Sequence, residues 1–327
     1  MASRVKTRGK HKTDLRQPVM IISDTHDNQF NNATKYGGKF TLPNPQCDVL
    51  IHTGDLTLTG GEGPYQKSMH MLSQIPAELK LVIAGNHDLD LDPNWVDKRY
   101  PPTPTHLENH KIAAGLWKGP HAKQAGITYL EEGMYTFTLS NGAKFKVYAS
   151  PYQPEFCGWV FPYERNEDRF NPPGLEREGV YNISLHPIPS FPDVDIVMTH
   201  GPPKGILDRT LDNEHPGEPL GCESLLRALG RARPKLACFG HIHEAYGMRL
   251  VEWKKEGNEF VRGEERYLGD AIERQVEHEN AYPKLSGDGT WDIKHGEETL
   301  MVNSSIMNLD YRPFNSPWIF DIELPGA

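Results

Sequence analysis

The chain has 327 residues, 37% hydrophobic and 9% aromatic, enough apolar material for one large α/β domain or two ordinary ones. Its formal charge of −9 speaks against a protein that grips a nucleic-acid duplex through the phosphates. No apolar run approaches the roughly 20 residues that a membrane-spanning helix needs, and no signal-peptide core follows the basic start.

Charge is unevenly spread. Residues 1–17 are strongly basic and read as a disordered tail, with a nuclear address as its other possible use. From residue 18 to the end we expect a single domain, interrupted by an acidic insertion at about 252–299 that reads as an exposed excursion. The four cysteines, Cys47, Cys157, Cys222 and Cys238, are scattered, which suits reduced thiols in the cytoplasm better than a disulfide framework.

In chain order, the first strand signal is "PVMIIS", which runs into Asp24-Thr25-His26. "CDVLIHT" follows and runs into Gly54-Asp55, and "LKLVIA" into Gly85-Asn86-His87-Asp88. "MYTFTLSNGAKFKVYAS" reads as two alternating strands joined at Asn141-Gly142, a hairpin signal that predicts a mixed sheet. "DVDIVMT" runs into His200-Gly201, "KLACF" into Gly240-His241-Ile242-His243, and "TLMVNSS" and "PWIFDIEL" predict two closing strands. Helical stretches, "YQKSMHMLSQI" and "CESLLRALGRA", lie between the strands, as in βαβ units.

Five apolar strands thus end in Asp, Asn or His. The carboxyl ends of strands in an open α/β sheet line the ligand crevice, so these side chains are predicted to converge. Asp24, His26, Asp55, Asn86, His200, His241 and His243 offer oxygen and imidazole donors without thiolate, a set suited to manganese, iron, zinc or magnesium. Seven ligands are too many for one ion with an open position and fit two divalent ions, with manganese favoured. Two ions of charge +2 against two aspartates leave positive charge to activate water and attract an anionic phosphate ester. His87 follows Asn86 directly, so the two side chains diverge; His87 is predicted to deliver a proton to a leaving oxygen.

The ordered set Asp24-x-His26, Gly54-Asp55, Gly85-Asn86-His87-Asp88, Thr199-His200-Gly201 and Gly240-His241-x-His243 resembles the calcineurin-like metallophosphoesterases, from about residue 18 to the end. "GDLTLTGG", "SPYQPEFCGWVF", "THGPPKG", "CFGHIHEAYG" and "VNSS" resemble the metallophosphoesterase-domain-containing subfamily, relatives of class III cyclic-nucleotide phosphodiesterases. The resemblance implies a four-layer αββα sandwich, in which two mixed sheets are flanked by helices. It implies one ion on Asp24, His26, Asp55 and His243, a second on Asp55, Asn86, His200 and His241, and Asp55 shared between them. His87 is implied to be the proton donor to a small phosphate-ester or nucleotide substrate, attacked in line by a bridging hydroxide. Some members lose the last histidine and turn over poorly; His243 is present here and speaks against the other reading, a nucleotide-binding scaffold. Leu56-Thr57-Leu58-Thr59 after Asp55, and Asp88 after His87, depart from the protein phosphatase pattern, favour a phosphodiesterase, and leave the group that orients His87 unassigned.

His52, inside a strand, is expected to be structural, and His106, His110, His121, His186, His215, His278 and His295 to lie at the surface. Asp88 is expected to stabilise the turn after His87. Asn303 and Ser304 are candidates for facing the site.

Overall fold

A computed structural model of the protein describes residues 14–30, 46–94, 104–211, 217–253, 262–267, 284–285 and 293–326. The strands are short and apolar, and alternate side chains of each point to opposite faces. In the first strand, β1 (Leu15–Ile22), Val19 and Ile21 turn one way and Met20 and Ile22 the other, and all four are buried. Such strands need cover on both faces, and two sheets and their helices supply it.

The first sheet contains β1, β2 (Val49–His52), β3 (Leu79–Val82) and β4 (Ile127–Tyr129), parallel and adjacent in that order. The second builds on β5 (Gly133–Thr138) and β6 (Lys144–Ser150), the expected hairpin, paired from Gly133↔Ala149 to Thr138↔Lys144. Gly142 holds its turn with φ 91°, where a side chain would be strained. Parallel to β6 run β7 (Ile196–Thr199), β8 (Leu236–Phe239) and then, beyond β9 (Gly247–Trp253) and β10 (Arg262–Tyr267) in the chain, β11 (Glu298–Asn303). The last strand, β12 (Trp318–Leu324), returns to the first sheet antiparallel to β1.

Three apolar clusters show four layers. Val19, Ile51 and Leu81 of one sheet meet Phe145, Val147, Ile196, Leu236 and Val302 of the other. The outer face of the first sheet packs on α1 (Glu62–Ser73), α2 (Pro104–Lys118) and α3 (Pro120–Gln124) through Met69, Leu72, Leu116 and Trp117. The outer face of the second packs on α4 (Glu223–Ala232), whose Leu225, Ala228, Leu229 and Ala232 recur at helical spacing. Burial of each leucine contributes about 1.5–3 kcal/mol. The αββα sandwich is therefore present as expected, with two mixed sheets. Both sheets point their carboxyl-terminal strand ends at one edge.

Two expected boundaries shift. β1 begins at Leu15 and pairs Leu15↔Leu324, so the tail ends before residue 15 rather than at 17; residues 1–13 lie outside the described residues. Much of the acidic insertion also lies outside them. Its described parts are not a free excursion: β10 pairs with β9, and Lys284–Leu285 pairs with β12, because each sheet edge offers unpaired backbone groups there. Among the described residues no helix is long and apolar enough to cross a membrane.

Candidate metal centre

The loops after the strands are bent sharply enough to turn several side chains inward. Asp24 (φ 54°), His26 (φ 41°), Asp55 (φ 55°) and His241 (φ 70°) all adopt left-handed backbone conformations, at a cost of order 1 kcal/mol or more each. Backbone bonds fix the bends: Asp24 N–H donates to Gly54 O at 3.0 Å, and His26 N–H to Asp55 O at 3.1 Å. Carboxylates take part as well. Asp55 Oδ1 accepts from His87 N–H at 2.8 Å, and Asp24 from His241 N–H at 3.1 Å. At Gly85 a Cβ would collide with Asp55 Oδ1, and at Gly240 with Asp24 Oδ2, so both positions exclude side chains.

All seven predicted ligands and His87 come to this edge. The ligand atoms of Asp24, His26, Asp55 and His243 lie within 4.8 Å of one another, and all four residues are buried. His26 Nε2 is 3.2 Å from His243 Nε2 and 3.7 Å from Asp55 Oδ2; His243 Nε2 is 3.4 Å from Asp24 Oδ1. On the far side of Asp55, Oδ1 is 3.4 Å from His200 Nε2, which also faces Asn86 Oδ1 at 2.8 Å. The His241 ring stands edge-on to His200, 5.1 Å between centroids. Asp55 thus borders both groups with different oxygens.

The tautomers decide what the nest can hold. His26 Nδ1 faces Thr57 O at 3.2 Å, His243 Nδ1 faces Asn308 O at 3.2 Å, and His200 Nδ1 faces Thr53 O at 2.9 Å. A carbonyl only accepts, so each Nδ1 carries hydrogen and each neutral ring turns a bare Nε2 inward. Acceptors therefore converge on acceptors in a buried space, an arrangement that a cation satisfies.

The same crowding of charge moves the histidines in opposite directions. His200 is pushed up to about 9: burial opposes its charge, but the Asp55 carboxylate and its hydrogen bond, with Asp24, outweigh burial. His243 is also raised, against burial, by its hydrogen bond to Asp24 and that carboxylate's charge. His26 falls to about 4 and His241 to about 3, both chiefly through burial. Despite burial, Asp55 stays well below the usual carboxylate range, held there by His200, His87 and His26. The carboxylates thus favour a proton on His200, which a cation entering that group must displace.

His87 acquires the orienting group that the sequence left unassigned. Its Nδ1–H donates to Leu58 O at 2.7 Å, so a backbone carbonyl stands where a carboxylate was sought. Trp159 covers the ring face at 4.1 Å between centroids, and Tyr311 Oη lies 3.4 Å from Nε2. Asp88 does more than stabilise the local turn. It accepts from Leu56 N, Thr57 N, Thr57 Oγ1 and Gly85 N between 2.8 and 3.2 Å, tying the ends of β2 and β3 together. Burial, reinforced by Asp55, pushes its carboxyl up to about 7.

Other expectations fare differently. His52 is structural: its Nδ1 accepts from Gly54 N–H at 3.3 Å and its Nε2–H donates to Thr25 Oγ1 at 3.0 Å. Asn303 and Ser304 do not face the site but brace it. Asn303 Nδ2 donates to Ile242 O at 2.9 Å, and Ser304 Oγ donates to Phe239 O at 3.2 Å, because both are wholly buried among carbonyls at the end of β8 and in the loop after it. His121, His186 and His295 are exposed, whereas His106 and His110 are half-buried; His110 Nδ1–H donates to Asp90 O at 2.8 Å, where α2 packs over the turn after His87. His215 and His278 lie outside the described residues. Sequence reasoning missed Ser305, whose hydroxyl donates to Asp24 Oδ2 at 2.6 Å, and the aromatic walls Phe156, Trp159 and Tyr311. The phrases "VNSS" and "SPYQPEFCGWVF" contain Ser305, Phe156 and Trp159, whereas no phrase signalled Tyr311.

The nest opens into a cleft of about 160 Å³ bordered by Asn86, His87, His241, Phe156, Arg165 and Tyr311. The profile of the calcineurin-like phosphoesterase family matches residues 17–245, which span the seven candidate ligands and His87. The chain is a calcineurin-like phosphoesterase. This phosphoesterase is 29% identical over 315 residues to human "Metallophosphoesterase domain-containing protein 1", covering 94% of the chain and 71% of that protein. It is 34% identical over 247 residues to "Probable rhamnogalacturonate lyase C" of Emericella nidulans, covering 75% of the chain but only 19% of that protein's length. Among solved structures, a purple acid phosphatase from yellow lupin seeds aligns at a TM-score of 0.38 with 13% identity, over 95% of this chain and 48% of that one.

Proposed function

We propose that this phosphoesterase is a phosphodiesterase acting on small phosphate diesters, cyclic nucleotides among them, with two divalent ions and manganese favoured. The observation that carries the reading is the nest itself: acceptor atoms of two residue groups meet on either side of Asp55 at the floor of an open cleft. Asp24, His26, Asp55 and His243 would hold one ion; Asp55, Asn86, His200 and His241 would hold the other. Ions bound there supply Lewis acidity toward phosphate oxygens and a water acidic enough to attack near neutral pH.

The chain's own residues supply the rest. Thr57, Asn308 and Thr53 carbonyls keep three imidazoles in the tautomer that presents Nε2 inward. Leu58 O holds His87 Nδ1–H, so Nε2 faces the cleft, where a leaving oxygen can take its proton. Phe156 and Tyr311 border the cleft with aromatic surface, and Trp159 covers a face of His87. Arg165 and Glu244 both border the cleft, so among the described residues its lining outside the nest carries one cation and one anion. That balance suits a singly charged diester better than a doubly charged monoester. The cysteines Cys47, Cys157, Cys222 and Cys238 form no disulfide with one another, which supports an intracellular setting.

The test pairs elemental analysis with turnover of bis(p-nitrophenyl) phosphate and p-nitrophenyl phosphate in added manganese. Close to two ions per chain and preference for the diester are expected. Tight nucleotide binding without turnover of either ester would refute the reading.

A further inference from the structure

Tyr311 belongs to none of the strand-end motifs, yet its side chain meets three of the site's histidines. The ring stands edge-on to His26 at 4.9 Å, to His243 at 5.1 Å and to His87 at 5.7 Å between centroids. Its hydroxyl reaches to 3.4 Å from His87 Nε2. The residue is 44% exposed, so the ring borders the cleft instead of filling core.

The turn that carries it is tightly held. Asn308 Oδ1 accepts from Asp310 N–H at 3.0 Å and Arg312 N–H at 3.1 Å, and Tyr311 N–H donates to Asn308 O at 3.0 Å. Tyr311 itself is left-handed, with φ 55°, an unusual conformation for a bulky residue. The Asn308 carbonyl is the one that takes Nδ1–H of His243. One turn therefore orients a ligand histidine through its backbone and reaches His87 through a side chain.

The remaining contacts of His87 show what that hydroxyl does. Nδ1 faces a carbonyl that can only accept, so it keeps its hydrogen in every state. Trp159 occupies a ring face. Nε2 is the ring nitrogen that this leaves facing the cleft, and the Tyr311 hydroxyl stands 3.4 Å from it. A phenol hydroxyl donates to a bare nitrogen and accepts from a protonated one, so it can follow both states.

We propose that Tyr311 is a positioning residue for proton delivery: its hydroxyl keeps His87 Nε2 aimed into the cleft until the leaving oxygen takes its place. This rests on the reading of His87 as general acid in the proposed phosphodiesterase. Hydrolysis forms a bond from a water oxygen to phosphorus and breaks the bond from phosphorus to the leaving oxygen. The leaving oxygen keeps the electron pair and takes a proton from Nε2; the proton that water gives up returns to Nε2. Tyr311 exchanges no atom. An alkoxide needs that proton to leave, whereas p-nitrophenolate departs readily without it.

The test is a double-mutant cycle in manganese with Tyr311→Phe, His87→Ala and both, on the methyl and p-nitrophenyl esters of one nucleoside monophosphate. Tyr311→Phe keeps the ring contacts and removes only the hydroxyl. It should lower kcat for the methyl ester about tenfold, with KM within about twofold, and at least about fivefold more than for the aryl ester. In the His87→Ala background the same change should alter the methyl-ester rate by less than about twofold. A tenfold loss persisting without His87, or an equal loss on both esters, overturns the proposal. A second measurement needs no turnover: the 15N resonance of His87 Nε2 in zinc-loaded protein should move toward that of a free acceptor in Tyr311→Phe. An unmoved resonance also overturns it. If the unsubstituted protein cleaved no diester, the phosphodiesterase reading alone would fail, and a shifted resonance would still support Tyr311's hold on His87.

Discussion

The site is assembled from two regions that contribute unlike things. The strand ends between Asp24 and His243 carry the candidate ligand side chains; residues 303–311 carry none of these and instead hold them in place. Ser305 fixes Asp24, Asn308 fixes His243, Asn303 fixes the loop that spaces His241 from His243, and Tyr311 touches His87. Ligation demands particular donor atoms, so the first region has a recognisable vocabulary. Bracing can be done by any carbonyl or hydroxyl that arrives in the right place, so the second has almost none.

The sharpest way to break this division is Asp55→Ala, which removes the carboxylate common to both groups. Turnover of a diester should fall at least about a thousandfold, and bound metal should drop below one ion per chain by elemental analysis. Retained activity would mean that the two groups do not work as one centre. His87→Ala comes next. It should lower kcat about a hundredfold while metal content stays at the wild-type level, since His87 lies beside the ligand set and not in it. Lost metal would move His87 into the first region.

Ser305→Ala examines the bracing region alone. Manganese affinity, measured by competition with a fluorescent chelator, should weaken about tenfold, the usual effect of removing a group that orients a ligand. An unchanged affinity would leave 303–311 as mere packing.

The smallest effect is in pH. His200 in the metal-free fold sits near 9 against an ordinary 6.5, so its stabilising contribution is complete below 6.5 and lost as pH rises through 9. His26, depressed to about 4, has the opposite sense: its contribution is present above 6.5 and lost as pH falls toward 4. Metal must displace the His200 proton, so the rise in Tm that manganese gives should widen between pH 6.5 and 9. A gap that narrows over that range would show that this proton does not compete with metal.

The same division explains how much could be read in advance. The strands, the hairpin at Asn141-Gly142, helix α4 and the convergence of seven ligands follow from periodicity and from side-chain chemistry at strand ends. The orienting groups were illegible because Thr53, Thr57, Leu58 and Asn308 act through carbonyls, which every residue has. Asp88 was read as a turn residue because its four donors come from two strand ends some 30 residues apart in part, a distance that local reasoning does not span. The edge pairing of Arg262–Tyr267 was hidden by its charge, since backbone pairing at a sheet edge asks little of side chains.

The Ser305–Asp24 hydrogen bond joins residues 281 positions apart. During synthesis the first aspartate is in place long before the hydroxyl that steadies it leaves the ribosome. A growing chain therefore carries its candidate ligand side chains early but gains this brace on Asp24 only once residue 305 has emerged. Metal captured before that point would meet a looser Asp24. A nascent-chain series released before and after residue 305 would show this as a late step in manganese retention rather than a gradual rise.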